Sequence, residues 1–191
     1  MYIRAERRVA IGLGRDEEML QNALKIIEAA LQEKDLKIII DGDGLFALLQ
    51  NNRTIALLTE NVILTPNVNE WRRLEAHLNA TKVELKSVLV KKGETDEISR
   101  GDERLVCDTP GSVRRCGGQG DILAGSIAAF IVHSRKQPEG LLPLIWGGCD
   151  VVRKAQNLAF SVHKRSMTAQ DVIAHLPEAV EVRLVSAICF K

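Results

Sequence analysis

The chain has 191 residues, of which 46% are hydrophobic and 27% charged, and its net charge is +1. A chain of this length is expected to form one domain, residues 1–191, and to bury roughly 70% of the surface that its unfolded state exposes. Basic and acidic residues are interleaved, which excludes the charged surface of a nucleic-acid-binding or membrane-binding protein. The longest apolar run, residues 122–132, is too short to span a bilayer.

The cysteines and the first residues indicate the compartment. Four cysteines lie at wide spacings without a CxxC pair, at positions 107, 116, 149 and 189. This spacing argues against a zinc site and indicates reduced thiols. The opening residues, "MYIRAERRVAIGLGRDEE", contain no apolar segment of a signal peptide. We therefore expect a cytoplasmic protein; a mitochondrial form stays open, because the natural N-terminus is expected to lie upstream.

Short apolar runs alternate with helical patterns in the first half of the chain. Residues 7–13 predict a buried strand, and apolar residues at helical spacing across 20–31 predict a helix that Asp16 caps. Three more strands are predicted, with two helical segments between them: strands within 36–44, 61–67 and 86–93, and helices within 45–52 and 69–78.

The second half begins with a predicted β-hairpin, residues 96–109, that turns at Gly101. Three helices are then predicted to start near Gln119, Leu144 and Thr168, and Thr168 forms a pattern like a capping box with Asp171. Repeated strand–helix units favour an α/β fold in which helices cover both faces of a mostly parallel sheet.

Glycines and polar residues follow the predicted strands. Ligands of such folds collect at the carboxyl ends of the strands, so this edge is the predicted binding region. Each residue alone is also typical of an ordinary turn, but the set together exceeds what turns require. The set is Gly12, Gly14, Asp41, Asp43, Asn67, Glu70, Lys92 and Gly93.

The stretch "RRCGGQGDILAG", residues 114–125, raises a more specific possibility. Glycines before a long apolar helix leave backbone N–H groups available, and the helix dipole adds positive potential, so the stretch predicts a phosphate or oxyanion site. It is neither a P-loop nor a GxGxxG motif. Asp121, in the first turn, suits a base that deprotonates an attacking hydroxyl. The alternative is an ordinary acid at a helix N-terminus, or a tight turn without a ligand.

Five motifs in order resemble those of the ATP-dependent (S)-NAD(P)H-hydrate dehydratases, members of the ribokinase-like superfamily. The motifs are "GLGRD" (12–16), "IIIDGDGL" (38–45), "ILTPNVNEWRRL" (63–74), "KKGETD" (91–96) and "GSVRRCGGQGD" (111–121). The segment "KRSMTAQDVI" (164–173) is similar to the opening of the family's last helix. The resemblance implies a ribokinase-like α/β fold.

The resemblance also implies a repair reaction on hydrated cofactor. The family converts (S)-NADHX or NADPHX, which are NADH or NADPH hydrated at the nicotinamide ring, back to NADH or NADPH. ATP phosphorylates the ring hydroxyl, and phosphate is then eliminated. The implied cofactors are ATP and Mg²⁺, the implied partner is the small-molecule substrate, and a homo-oligomer is left open.

The resemblance assigns the site residues. Asp121 is the catalytic base. ATP binding falls on two segments: Lys92, Gly93, Glu94, Thr95 and Asp96, and Gly111, Ser112, Val113, Arg114, Arg115, Cys116, Gly117, Gly118, Gln119 and Gly120. Binding of the hydrated dinucleotide falls on Gly14, Asn67, Val68, Asn69, Glu70, Trp71, Arg72, Arg73 and Asp121. The metal ligands stay unknown; Mg²⁺ keeps several waters, so Glu70 is expected to act through water.

Simpler interpretations remain open for several of these residues. Asn67 and Glu70 fit a helix start, and the arginines fit solvated charges. Lys91 and Lys92 fit exposed lysines at a strand end. Asp41 and Asp43 fit either metal ligands or, for one of them, an Asx-turn. Other residues are interpreted as packing, surface or unreactive groups: Trp71, Trp146, the four histidines and Cys116.

Two departures from the family's pattern affect the expected function. Ala10-Ile11 stands where the family has Gly-Pro. We also expect the chain to be the C-terminal two thirds of a typical family domain, truncated before its first strands, and therefore of reduced stability and activity. Two alternative functions stay open: a ribokinase-like small-molecule kinase, and a catalytically impaired nucleotide-binding fragment.

Overall fold

The computed structural model describes residues 8–11, 17–33, 36–133 and 140–188, with side chains described outside 8–11 and 182–188. The residues form two compact units, Met1–Val106 and Cys107–Lys191. That the chain is one domain stays a prediction. The predicted cap Asp16 and the glycines at positions 12 and 14 lie outside the described residues.

The first unit is built on a sheet with the order β1-β2-β3-β4-β5-β6. Strands β1 to β4 are parallel, and β5 is antiparallel to β4. The predicted mostly parallel sheet is therefore confirmed. The elements in chain order are β1 (Arg8–Ile11), α1 (Glu17–Leu31), β2 (Lys37–Ile40), α2 (Asp43–Leu48), α3 (Asn52–Ala56), β3 (Val62–Leu64), α4 (Val68–Thr81), β4 (Val88–Lys91), β5 (Asp96–Arg100) and β6 (Glu103–Cys107).

The central strands are buried on both faces, as expected for parallel strands covered by helices. Every residue of β3 is buried, and so are Ile38, Ile39 and Ile40 of β2. Helix α1 packs Leu24 and Ile27 into the same core as β2 and β3. Because β2, β3 and β4 run parallel, the residues that follow them all emerge at one edge of the sheet.

The second unit is helical. It contains α5 (Gln119–His133), α6 (Leu141–His163), a turn of 3₁₀ helix at Lys164–Ser166 and α7 (Ala169–Ile188). Helices α5 and α6 approach closely, since a Cβ added to Gly148 would lie 2.9 Å from Cα of Ile127. Ile127 and Ile145 are fully buried. This packing fixes α5, whose N-terminal turn carries the predicted anion site.

Two details differ from the sequence-based predictions, and a third agrees with them. Helix α3 was not predicted; the side chain of Asn51 caps it by accepting hydrogen bonds from the backbone N–H groups of Arg53 and Thr54. Helix α6 begins at Leu141 rather than near Leu144, with Gly140 at its N-cap. The hairpin turn is confirmed at Gly101, whose φ of 55° lies in the left-handed region that glycine tolerates.

Candidate active site

A polar cluster lies at the carboxyl edge of the sheet in the first unit. Asp41, Thr65 and Lys92 follow β2, β3 and β4, respectively. The hydroxyl of Thr65 donates to Oδ1 of Asp41 over 2.9 Å, and Nζ of Lys92 lies 2.5 Å from the same oxygen. The side chains of Lys92 and Asp41 are only 18% and 17% exposed. The interpretation of Lys92 as an ordinary exposed lysine is therefore wrong: its ammonium is held in an ion pair.

The predicted substrate segment begins with a complete capping box on α4. Oδ1 of Asn67 accepts hydrogen bonds from the backbone N–H groups of Asn69 and Glu70, each at 3.0 Å. In return, the backbone N–H of Asn67 donates to Oε2 of Glu70 over 2.8 Å. The interpretation as a helix start is confirmed. The cap uses one oxygen of the Glu70 carboxylate, and the contact of Glu70 with a metal through water stays a prediction.

The backbone joins the predicted substrate segment to the predicted ATP segment. The backbone N–H of Lys92 donates to the carbonyl of Pro66 over 2.8 Å, and Asn67 and Lys92 form a parallel bridge. The next residue, Gly93, donates its backbone N–H to Oδ1 of the buried Asp96 over 3.3 Å. Residues 67 and 92 are therefore fixed relative to each other by main-chain hydrogen bonds.

Trp71 lies on α4 and packs against the core of the first unit. Nζ of Lys91 lies 4.1 Å from the centroid of the Trp71 ring, a cation–π contact. The packing interpretation of Trp71 is confirmed by these contacts. Arg72 and Arg73 are exposed to solvent.

The glycine-rich loop of the second unit leads directly into α5. Gly118 has φ of 88°, and the carbonyl of Gly118 accepts the N–H of Ile122 over 3.0 Å. The carbonyl of Arg114 accepts hydrogen bonds from the side chains of Ser112, over 2.6 Å, and Gln119, over 3.4 Å. The loop is therefore held by its own polar groups, while the first N–H groups of α5 have no partner within the helix.

The two glycines at positions 117 and 118 have different surroundings. A Cβ on Gly118 would lie 3.0 Å from Cβ of Ala169, whereas a Cβ on Gly117 would meet nothing within 4 Å. Arg114 and Arg115 on the same loop are exposed. Backbone N–H groups at a helix N-terminus and exposed guanidinium groups are donors that suit an anion, so the loop agrees with the predicted anion site. That these residues bind ATP stays a prediction.

Asp121 lies in the first turn of α5 and is exposed to solvent. A carboxylate at this position is stabilised by the helix dipole, which also agrees with the alternative of an ordinary N-terminal acid. Its role as a base stays a prediction.

Sequence reasoning missed a polar network that holds the start of the second predicted ATP segment. The hydroxyl of Thr109 donates to Oδ1 of Asp150 over 2.6 Å, and Arg153 Nη1 donates to the carbonyl of Thr109 over 3.2 Å. Asp150, only 2% exposed, also pairs with Lys154 at 3.0 Å. The signal in the sequence is "CDVVRK", where charged residues interrupt an apolar helix at spacings that place them on one face. The network fixes the chain just before Gly111.

The opening of α7 confirms the predicted pairing of Thr168 with Asp171. The backbone N–H and the hydroxyl of Thr168 each donate to Oδ2 of Asp171 over 2.7 Å. Both hydrogen bonds hold the pKa of Asp171 below its usual value, and the bond from the Thr168 hydroxyl contributes more than the bond from its backbone N–H. Ala169, the first residue of α7, faces Gly118. The cap therefore positions the Ala169 side chain next to the glycine-rich loop.

The described residues offer neither a cluster of metal ligands nor a membrane-spanning helix. That part of the chain contains no group of three or more His, Cys, Asp or Glu side chains that could hold a metal ion. None of its helices is long and apolar enough to cross a membrane. Three of the predicted free thiols are confirmed, Cys107, Cys116 and Cys149. Gly14 and Cys189 lie outside the described residues.

Comparison with solved structures identifies the fold. A ribokinase-like superfamily protein from Enterococcus faecalis V583 superimposes with a TM-score of 0.64 at 24% identity, covering 92% of this chain and 63% of that one. The predicted ribokinase-like α/β fold is thereby confirmed.

Sequence comparison then identifies the family. The chain belongs to the NAD(P)H-hydrate dehydratase family, whose sequence profile matches residues 8–178. Two relatives carry the name ATP-dependent (S)-NAD(P)H-hydrate dehydratase. The one from Entamoeba histolytica is 36% identical over 186 residues, and the alignment covers 91% of this chain and 61% of the relative. The one from Mus musculus is 38% identical over 193 residues, covering 90% and 56%. The chain therefore spans less than two thirds of these relatives.

Proposed function

We propose that this chain catalyses the ATP-dependent dehydration of (S)-NADHX and NADPHX to NADH and NADPH. Membership of the dehydratase family across residues 8–178 supports the proposal. The observation that carries it is the glycine-rich loop, in which Gly118 adopts a positive φ directly before a helix whose first turn holds Asp121. A carboxylate beside a phosphate-binding loop has the chemistry needed to transfer a phosphoryl group to a hydroxyl.

In the proposed mechanism, Asp121 removes the proton from the hydroxyl of the hydrated ring as its oxygen bonds to phosphorus. The bound ATP supplies the phosphoryl group and leaves as ADP. The backbone N–H groups of the loop stabilise the charge that develops on the phosphate oxygens. The ring C–O bond then breaks, phosphate departs with its bonding electrons, and loss of a proton from the neighbouring ring carbon restores the dihydronicotinamide. Phosphorylation is needed because hydroxide is a poor leaving group.

The remaining roles follow the resemblance. Residues 92–96 and 111–120 are proposed to bind ATP, while Gly14, residues 67–73 and Asp121 are proposed to contact the hydrated dinucleotide. Mg²⁺ is proposed to be held mainly by phosphates and water, with Glu70 contacting it through water; a site of this kind needs few protein carboxylates. The free thiols support a reducing compartment, for which we propose the cytoplasm.

The proposal is tested by absorbance at 340 nm, at which only the restored dihydronicotinamide of NADH or NADPH absorbs strongly. The purified chain is mixed with (S)-NADHX and Mg²⁺, with and without ATP. We expect absorbance to rise only with ATP, with one ADP and one phosphate formed per NADH. A product that stays phosphorylated would instead indicate a small-molecule kinase. If neither the substrate nor ATP changed, the dehydratase and the kinase functions would both be contradicted.

A further inference from the structure

Asp41 has no role in the proposed function, yet it holds the first residue of a proposed ATP segment. We infer that Asp41 is a positioning residue that fixes the Lys92 ammonium for binding the phosphates of ATP. The inference rests on the proposed function, because Lys92 is assigned to ATP through the family resemblance.

The geometry around the Asp41 carboxylate argues for positioning. Its Oδ1 accepts a hydrogen bond from the hydroxyl of Thr65, a residue that is only 1% exposed. The same hydroxyl lies 3.4 Å from the carbonyl of Ile40 in β2. A carboxylate anchored to buried atoms of β2 and β3 has a defined orientation. It therefore defines the position of the lysine ammonium bound to it.

The backbone of Lys92 is fixed as well. Its N–H donates to the carbonyl of Pro66, and the residue bridges to Asn67. What remains variable is the flexible lysine side chain, which can adopt many rotamers when unrestrained. The ion pair with Asp41, 51 positions earlier in the chain, removes that freedom at the edge of the sheet where ligands of this fold class bind.

The ion pair does not exhaust the donors of Lys92. An ammonium group has three N–H donors, and a contact with one carboxylate oxygen leaves donors for an anion. Lys91, the preceding residue and the last of β4, provides a contrast: its ammonium lies over the Trp71 ring and 4.0 Å from the Glu97 carboxylate. A lysine that serves only packing would lie over a ring, as Lys91 does. The Lys92 ammonium is instead bound by the Asp41 carboxylate, which the Thr65 hydroxyl holds in place.

A double-mutant cycle tests the inference. The variants are Asp41→Asn, Lys92→Met and the double variant, and the measurement is the dissociation constant for Mg-ATP by isothermal titration calorimetry. We expect Asp41→Asn to weaken binding about tenfold in the wild-type background and to have no further effect when Lys92 is methionine. Asp102→Asn, at the exposed turn of the β5–β6 hairpin, is the matched control and should bind ATP as the wild type does.

A purely structural ion pair gives a different result. Asp41→Asn would then lower the melting temperature but leave the dissociation constant unchanged, or weaken binding equally in both lysine backgrounds; either result overturns the inference. Thr65→Val provides a second variant if Asp41→Asn does not fold. It removes the hydroxyl that orients Asp41, and it should weaken ATP binding by a smaller factor that also disappears in the Lys92→Met background.

The failure of the proposed function can be told apart from the failure of this inference. Turnover at 340 nm tests the function, whereas ATP affinity tests the positioning of Lys92. Suppose that the wild-type chain binds ATP and the double-mutant cycle gives the expected result, but the chain restores no NADH. The proposed function is then overturned, and the inference is supported. A wild-type chain that binds no ATP overturns both.

Discussion

Gly118 and Gly117 stand next to each other in the glycine-rich loop but differ in their conformational demands. Gly118 has φ of 88° and would bring a Cβ to within 3.0 Å of Ala169. Gly117 has open space around it. The backbone conformation that turns the chain into α5 therefore depends on glycine at one of the two positions. This difference provides a matched test of the proposed phosphate-binding loop.

Gly118→Ala should weaken ATP binding, while Gly117→Ala should leave it close to that of the wild type. An alanine with positive φ costs about 1–2 kcal/mol, which corresponds to roughly tenfold in affinity if the loop changes conformation to avoid the strain. Calorimetric titration with Mg-ATP measures the effect, and thermal melts report whether each variant folds. Equal affinities for the two variants would return the loop to the tight-turn interpretation.

Single residues also show what the sequence could and could not predict about the site. Asn67, Glu70 and Asp121 could be named because each lies within a local motif. The ion pair of Lys92 with Asp41 could not, because its partners are 51 positions apart and meet only when β2 and β4 are placed in one sheet. A strand-end lysine has the same local sequence pattern whether or not a carboxylate comes to lie beside it.

At the scale of elements, helices α5 and α6 pack closely where Gly148 of α6 lies against Ile127 of α5. A Cβ added to Gly148 would lie 2.9 Å from Cα and 3.0 Å from N and Cγ1 of Ile127. Because two of these atoms belong to the backbone, the contact cannot be relieved by a rotamer change. Gly148 therefore sets the spacing of the helix that carries the proposed phosphate-binding turn.

Gly148→Ala should lower the free energy of unfolding by about 1–3 kcal/mol, as extra atoms in a packed interface do. Gly125→Ala is the control on the opposing helix: it is exposed, it has nothing within 4 Å, and it should raise that free energy by about 0.5–1 kcal/mol. Urea denaturation of both variants measures the two changes. Similar effects of the same sign would contradict the proposed close packing.

The elements were largely predictable, and the exceptions have physical causes. Apolar runs gave β2, β3 and β4, because strands buried on both faces need a continuous apolar sequence. Helix α3, Asn52–Ala56, was missed because five residues are too few to show a helical period, and a side-chain cap at Asn51 stabilises it instead. Helix α6 begins before Leu144 because Gly140 provides its N-cap, and glycine is a weaker signal than serine or aspartate.

For the whole molecule, strand–helix alternation was enough to predict a mostly parallel sheet with one antiparallel hairpin. The five motifs were enough to predict the family, and family membership is now shown across residues 8–178. The pattern "CDVVRK" marks Asp150 and Arg153 as unusual, but their partner Thr109 was not predictable, because it depends on where the residues that follow β6 meet α6. The chain spans less than two thirds of the relatives it matches, so its activity is a proposal that turnover of this chain tests.

The central claim is that Asp121 acts as the base of an ATP-dependent dehydration, and the turnover of Asp121→Asn at 340 nm tests it most directly. Asparagine keeps the shape of the side chain but cannot accept the proton, so turnover should fall about 10²–10⁴-fold while ATP affinity is retained. Glu18→Gln is the matched control, because Glu18 is also an exposed acid in the first turn of a helix, α1. It should retain wild-type turnover. If Asp121→Asn retained it too, Asp121 would be an ordinary helix-terminal acid and the proposed mechanism would be wrong.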